Sequence, residues 1–267
     1  MFVIAFHNID PVAFNIGPFA VYWYAISYVV GILICVFFAQ KISTKYSLGI
    51  SKSELDTYIT YIIFGIVFGG RLGYVLFYDP IKYLEDPIEI FKTYNGGMSF
   101  HGGFLGFIAS SFLFCKKYKI EFLKLMDLAA VVTPFAVFLG RIANFINGEL
   151  YGRPTDVSWA MIFPESDGKP RHPSQLYEAF LEGVILQIIM YIASKKINNR
   201  GLTIGVFLIF YSSFRIICEF FREPDLHLGF VISAFSMGQL LSVPMFLLGM
   251  YFWIKSLCLP TSLLEKR

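Results

Sequence analysis

Stretches almost free of charge recur along this chain, each about as long as a helix that crosses a lipid bilayer. Such a crossing takes roughly 20 mostly apolar residues. It must be helical or part of a closed barrel, because hydrocarbon offers backbone groups no other partners. Seven stretches qualify: 18–40, 58–78, 98–115, 127–146, 176–194, 202–220 and 234–256. Charged residues make up 15% of the chain, against about 25% in a soluble domain, which excludes a soluble globular fold. The expected fold is all-α, a polytopic integral membrane protein. It forms a single seven-span transmembrane domain over 1–267, with a small extracytoplasmic loop region whose longest member is about 147–175. Pro18 and Pro134 are tolerable near a first turn or where neighbouring helices repair the backbone. A likeness between GGRLGY (69–74) and LGRIAN (139–144) is too short to make a repeat.

The lysines and arginines orient the spans. One set of connections carries 13 of the 22: Lys41, Lys45, Lys52, Lys116, Lys117, Lys119, Lys124, Lys195, Lys196, Arg200, Lys255, Lys266 and Arg267. The opposite set carries six, namely Lys82, Lys92, Arg153, Lys169, Arg171 and Arg222, and three (Arg71, Arg141, Arg215) fall within spans. The richer side faces the cytoplasm, which puts the N-terminus outside and the C-terminus inside. The first basic residue is Lys41, so no basic leader region precedes the first span, which is expected to be retained. Cys35, Cys115, Cys218 and Cys258 show no CxxC or zinc spacing. They read as small buried hydrophobes, and no metal, cofactor or nucleic-acid partner is implied.

With this orientation the polar residues inside the spans gather towards the outer leaflet. Tyr24 sits near the outer start of span one, Arg71 in the outer half of span two, and His101 at the outer start of span three. Arg141, Asn144 and Asn147 end span four, Glu178 opens span five, and Arg215 and Glu219 come late in span six. An arginine within a membrane is expensive and usually faces a protein interior or a wet cavity. In GRIANFINGE (140–149), Arg141, Asn144 and Asn147 follow at intervals of three, so neighbours share a helix face. A guanidinium beside carboxamides suits an anionic oxyacid headgroup; alternatively Arg141 pairs with Glu149 or Glu178 and ties helices together. In FHGGFLG (100–106), Gly102 and Gly103 let a ligand or a neighbouring helix approach closely, and His101 can exchange a proton near neutral pH. Arg215 and Glu219, four apart, can form a salt bridge on one face, and Arg222 is expected beyond them near the surface. In RHPSQLYE (171–178), His172 reads as a loop or headgroup-level residue, and Tyr22 and Trp23 as an aromatic belt. Arg71 joins the candidate substrate-binding residues by its place in the same leaflet.

Such a set of cations, one imidazole, carboxylates and amides fits an anionic lipid whose headgroup lies at this depth. At these residues the chain resembles the bacterial prolipoprotein diacylglyceryl transferase family. HGGFLG (101–106) and GRIANFINGELYG (140–152) are similar to its two hallmark motifs. HPSQLYE (172–178), FRIICEFFREPD (214–225) and the Trp23–Ala25 triplet match in order and approximate spacing. The resemblance covers nearly the whole chain. It implies a transferase of the bacterial cytoplasmic (inner) membrane, with its active site towards the extracytoplasmic leaflet. The diacylglyceryl group of phosphatidylglycerol would pass to the thiol of the lipobox cysteine in a prolipoprotein signal peptide, forming a thioether and releasing glycerol phosphate. The family's functional residues fall on Tyr24, His101, Arg141, Asn144, Glu149, Gly152, Glu178, Arg215 and Glu219. His101 is the expected base for the thiol, Arg141 with Asn144 the phosphate clamp, and Arg215 the cation for the leaving phosphate. Two other classes share part of the pattern. A secondary transporter for an organic anion or anionic lipid would more typically show internal repeats and midplane sites on broken helices. A lipid-binding scaffold would need the arginines but not His101 with two glycines.

Overall fold

The computed structural model of the chain describes all residues except 1–3, 6–8, 18, 93–95, 165, 225–229, 233–234 and 259–267. Pro18, Asp225, Ala234, Lys266 and Arg267 lie outside the described residues. In chain order come β1 (Ile4–Ala5), β2 (Val12–Ile16), β3 (Phe19–Tyr22), α1 (Trp23–Lys45), α2 (Lys52–Phe77), α3 (Pro80–Glu85), a 3-10 turn (Pro87–Phe91), α4 (Phe100–Tyr118) and α5 (Phe122–Asn147). They are followed by β4 (Met161–Ile162), α6 (Ser174–Glu178), a π-helical segment (Ala179–Ile185), α7 (Leu186–Ala193), α8 (Leu202–Glu219), β5 (Phe230–Ile232), β6 (Phe235–Ser236) and α9 (Met237–Cys258). The π segment makes α6 and α7 one continuous helix, Ser174–Lys196.

The fold is mostly helical, and six helices among the described residues are long and apolar enough to cross a membrane: α1, α2, α5, Ser174–Lys196, α8 and α9. This makes the chain a polytopic membrane protein. The seventh expected span, 98–115, falls on α4, which has 19 residues. His101 at one end, Lys116 and Lys117 at the other and three glycines between leave it less apolar than the rest. Short strands join the helices where an all-α fold was expected. Span one starts later than its hydropathy suggests because β2 and β3 pair as an antiparallel hairpin, Val12 opposite Tyr22 and Ile16 opposite Phe19. Gly17, at φ +59°, makes its turn.

The chain divides into two compact units, Ser43–Leu125 and the combination of Met1–Ile42 with Met126–Arg267. In the first unit α2 opens on a capping box. The Ser51 amide donates to Glu54 Oε2 at 2.7 Å and the Glu54 amide to Ser51 Oγ at 3.2 Å, satisfying two otherwise orphaned donors. Glycines at 65, 69 and 73 then line up along α2 facing Gly102 and Gly106 of α4. A Cβ on Gly106 would strike the Gly65 carbonyl, and one on Gly102 the Gly69 carbonyl. Close helix contact over small residues is how apolar helices associate where lipid removes the hydrophobic drive. Tyr58 and Ser111 hydroxyls, 2.6 Å apart, add a polar tie.

In the second unit α5 is the most buried of the apolar helices. Pro134 interrupts its hydrogen-bond ladder, and nearby carbonyls find outside partners. Val131 O accepts from Gln187 Nε2 at 3.1 Å and Val132 O from Cys35 Sγ at 3.1 Å, the repair that makes proline tolerable in a spanning helix. Gly31 of α1 meets Ala136, and Gly183 meets Phe138, so two neighbours press directly on α5. Asp127 near its other end is fully buried. Its carboxylate accepts from the Gly201 and Ile204 amides at 2.7 and 3.0 Å and from Thr203 Oγ1 at 2.9 Å. It thereby caps the N-terminus of α8, where free N–H groups and the helix dipole favour an anion. Gly205 and Gly249 bring α8 and α9 close together.

Candidate functional site

The last two turns of α5 carry Arg141 and Asn144, and the chain then stops sharply. Gly148, at φ +69°, sends its amide to Phe145 O, and Glu149 sends its amide to Asn144 O at 3.1 Å. This is a Schellman stop, for which a glycine in the left-handed region is suited. The reversal folds Glu149 back over the helix, where its Oε1 accepts from Asn144 Nδ2 at 2.7 Å. The fully buried Gln175 donates from Nε2 to Glu149 O at 2.6 Å, and Ser174 Oγ holds Leu150 O. Asn147 Oδ1 is buried without a hydrogen-bond partner among the described residues.

Arg141 turns towards the helix Ser174–Lys196. Its Nη1 lies 3.2 Å from Glu178 Oε2, and its Nη2 and Nε lie 3.1 and 3.3 Å from Glu182 Oε2. Glu178 and Glu182 are both at 0% exposure. They stand four residues apart across the start of the π segment Ala179–Ile185, and such segments occur often at functional sites. From α8, Arg215 reaches the same pair. Its Nη1 meets Glu178 Oε1 at 2.5 Å and lies 3.8 Å from Glu182 Oε1, while its Nη2 meets Glu219 Oε1 at 2.5 Å. Arg222 closes the group, with Nη1 3.4 Å from Glu178 Oε1 and Nε 3.8 Å from Glu219 Oε1. Glu219 Oε2 also accepts from Ser236 Oγ at 2.6 Å. Ser236 and Gln239 form a capping box at the start of α9, and Gly238 leaves room for the Glu219 carboxylate, which a Cβ there would crowd. Three guanidiniums thus face three carboxylates. Burying so many charges is tolerable only because each is paired and hydrogen-bonded.

The loops are pinned around this group. Arg153 donates from Nε to Arg222 O at 2.9 Å and from Nη2 to Glu219 O at 3.1 Å, covering carbonyls left open at the end of α8. Gly152 bridges to Arg222, its amide bonds His172 O, and a Cβ on it would strike Phe221 O and His172. Arg171 Nη1 donates to Gly152 O at 3.0 Å and pairs with Glu223, and its other nitrogens pair with Asp167. Hydrogen bonds from Lys169 and then Arg171 hold the Asp167 carboxyl down to about 2. Burial pushes His172 below the ordinary imidazole value, and its Nδ1 lies 3.1 Å from the Tyr177 hydroxyl. On α1, the Tyr24 and Tyr28 hydroxyls are 3.1 Å apart, with Tyr28 in the field of Arg141 and Glu149.

The structure therefore brings Arg141, Glu178, Arg215 and Glu219 into one group, with Asn144 and Glu149 joined beside them. Of the two partners considered for Arg141, Glu178 is taken, and Glu149 goes to Asn144. Arg222, expected near the surface, is buried and belongs to the group, because the bridge to Gly152 draws its backbone inward. Glu182 was not anticipated, although two glutamates four apart in an apolar helix were a readable signal. Tyr28, one turn from Tyr24, was missed in the same way.

The remaining candidates lie in the Ser43–Leu125 unit. His101 is exposed on the first turn of α4, behind Ser99, whose Oγ accepts from the Gly102 amide at 3.2 Å. Gly102 and Gly103 pack against α2, which favours the helix-contact reading of that pair. Arg71, expected to bind substrate, holds a loop in this structure. Its guanidinium donates to the carbonyls of Ile90, Gly96, Gly97, Glu89 and Lys92 and stacks on Tyr83.

Residues 11–255 match the family described as prolipoprotein diacylglyceryl transferase. The phosphatidylglycerol–prolipoprotein diacylglyceryl transferase of Rickettsia felis is 58% identical over 251 residues, covering 93% of this chain and 97% of that protein. The enzyme of the same name from Rickettsia typhi is 58% identical over 247 residues, covering 91% and 95%. That from Rickettsia bellii is 55% identical over 258 residues, covering 96% and 98%.

Proposed function

The chain belongs to the prolipoprotein diacylglyceryl transferase family, and from that premise we propose how its arginine–glutamate group handles the lipid substrate. The activity is that of a phosphatidylglycerol–prolipoprotein diacylglyceryl transferase, the first step of lipoprotein maturation. The lipid is phosphatidylglycerol and the acceptor the lipobox cysteine of a prolipoprotein signal peptide. A carbon–sulfur bond forms, the bond from that carbon to the phosphate oxygen breaks, and its electron pair leaves with glycerol phosphate. The thiol gives up a proton, which His101 accepts directly or through a water.

Arg141, with Asn144 beside it, holds the phosphate of the bound lipid, and Arg215 meets the charge that develops as the phosphate leaves. Preorganised donors aimed at developing charge are often the largest single catalytic contribution. Glu219 orients Arg215, while Tyr24, Glu149 and Glu178 contact glycerol hydroxyls or fix the arginines. Asn147 and Gly152 shape the binding surface, while Gly102 and Gly103 seat α4 against α2 and Arg71 holds its loop. The protein crosses the bacterial inner membrane seven times, α4 being the seventh span. The connections richer in lysine and arginine lie on the cytoplasmic side and the site opens to the outer leaflet.

The observation that carries this reading is that Arg141 and Arg215 converge on the same two carboxylates, Glu178 and Glu182. The two guanidiniums meet the two oxygens of one carboxylate, Glu178, and a phosphate in that place would be met in the same way. Arg141→Ala should abolish transfer to a lipobox peptide in phosphatidylglycerol vesicles while the protein stays folded. Near-normal turnover by that variant would sink the phosphate clamp.

A further inference from the structure

In the group described above every close cation already has an anion. All three nitrogens of Arg141 face carboxylates, Nη1 at Glu178 and Nη2 and Nε at Glu182. Both Nη atoms of Arg215 are taken by Glu178 and Glu219. A phosphodiester adds one negative charge to a set whose charges already cancel. It gains the fork of Arg141 only if a carboxylate yields its place.

The three glutamates differ in how firmly they are held. Glu178 meets Arg141, Arg215 and Arg222. Glu219 meets Arg215, lies near Arg222 and accepts the Ser236 hydroxyl. Among the described residues Glu182 is held closely only by Arg141, with Arg215 at 3.8 Å. Glu178 Oε2 and Glu182 Oε1 are both buried without a hydrogen-bond partner there, so the difference between the two lies in the number of cations that hold them. It has no way out to water, since its residue is fully buried and Gly183 beside it is pressed against Phe138. The other titratable or charged groups facing it are Glu178 on its own helix and Tyr211, Arg215 and Cys218 on α8. A carboxylate that loses its guanidinium in such a place neutralises rather than remaining charged.

We infer that Glu182 is a positioning residue that yields Arg141 to the substrate phosphate and takes up one proton from solvent as it does so. In the free enzyme it keeps Arg141 and Arg215 aligned. In the complex the phosphate replaces it on Arg141 and the proton cancels the added charge. The inference rests on the reading that Arg141 binds the phosphate.

Calorimetric titration of the purified full-length protein in detergent micelles with short-chain phosphatidylglycerol tests this. The titration is run near neutral pH in two buffers of different ionisation heat. The lipid is a phosphodiester and does not itself titrate there. The wild type should take up about one proton per lipid bound, and its affinity should fall about tenfold per unit rise in pH. Glu182→Gln should take up none and show a flat affinity profile. A merely structural role for Glu182 would lower the variant's stability and leave the proton count unchanged. Binding without proton uptake by the wild type overturns the inference, as does undiminished uptake by Glu182→Gln. If the variant does not fold, the wild-type count and slope decide alone. Arg141→Ala separates the two levels. Wild-type affinity in that variant removes the phosphate reading, whereas lost binding in Arg141→Ala beside zero uptake in the wild type removes only the role of Glu182.

Discussion

Arg71 and Arg141 look alike in the sequence, each a guanidinium inside an apolar helix, yet the company they keep is opposite. Every hydrogen bond described for Arg71 goes to a main-chain carbonyl of residues 89–97. Those acceptors belong to a fixed backbone, and several at once make the arginine a clasp. Arg141 is surrounded by carboxylates on side chains. A carboxylate and a phosphate compete for the same fork, so the second arrangement can trade partners and the first cannot. The difference teaches that burial of an arginine in a membrane helix marks neither stability nor function until its acceptors are known.

Substitutions at Arg215 and Arg71 should pull the two roles apart. Arg215→Lys keeps the charge but loses the flat fork that meets Glu178 and Glu219 together. Lysine does not replace arginine at such a site, so turnover of a lipobox peptide should fall about 10²- to 10³-fold, the loss typical of a removed charge-stabilising donor. Thermal stability in detergent should fall only in part, because the lysine keeps a positive charge beside Glu178 and Glu219. Turnover close to wild type would mean that Arg215 is only part of the scaffold.

Arg71→Met should do the reverse. Losing hydrogen bonds from a charged donor to several part-buried carbonyls should destabilise by about 1.5–3 kcal/mol, seen as a lower midpoint of thermal unfolding. Turnover per folded molecule should remain. If instead turnover collapses at an unchanged midpoint, Arg71 belongs with the substrate-binding residues and the contrast with Arg141 disappears.

Much of this was legible in residues 138–154. The apolar run gave the helix, and the interval of three between Arg141 and Asn144 gave a shared face. The i, i+4 bridge from Arg215 to Glu219 was equally plain. What stayed hidden depends on contacts far apart in the chain. Arg222 is buried because its backbone bridges Gly152, and no local pattern reveals a pairing across 70 residues. The carbonyls around Arg71 are equally invisible, since any residue type supplies them. The β2–β3 hairpin escaped because aromatic and β-branched residues at 19–22 are as apolar as the helix that follows.

Arg171 offers a third environment and sets the lower end of the scale. It lies in the loop after α5 and pairs with Asp167 and Glu223, both considerably exposed. Hydrogen bonds from Lys169 and Arg171 lower the Asp167 carboxyl to about 2, below the free value of about 3.9. A carboxyl depressed on folding stabilises fully above its unfolded pKa, and that contribution fades as pH falls through about 2. Water and salt screen an exposed pair, so the effect should be the smallest of the series. Asp167→Asn should lower the unfolding midpoint slightly at neutral pH, the gap from wild type closing as pH drops below about 4 and shrinking in high salt. Turnover should stay as it was, because the arginine it touches holds a loop. A large loss of activity at an unchanged midpoint would instead place Arg171 with Arg141, among the cations proposed to meet the substrate.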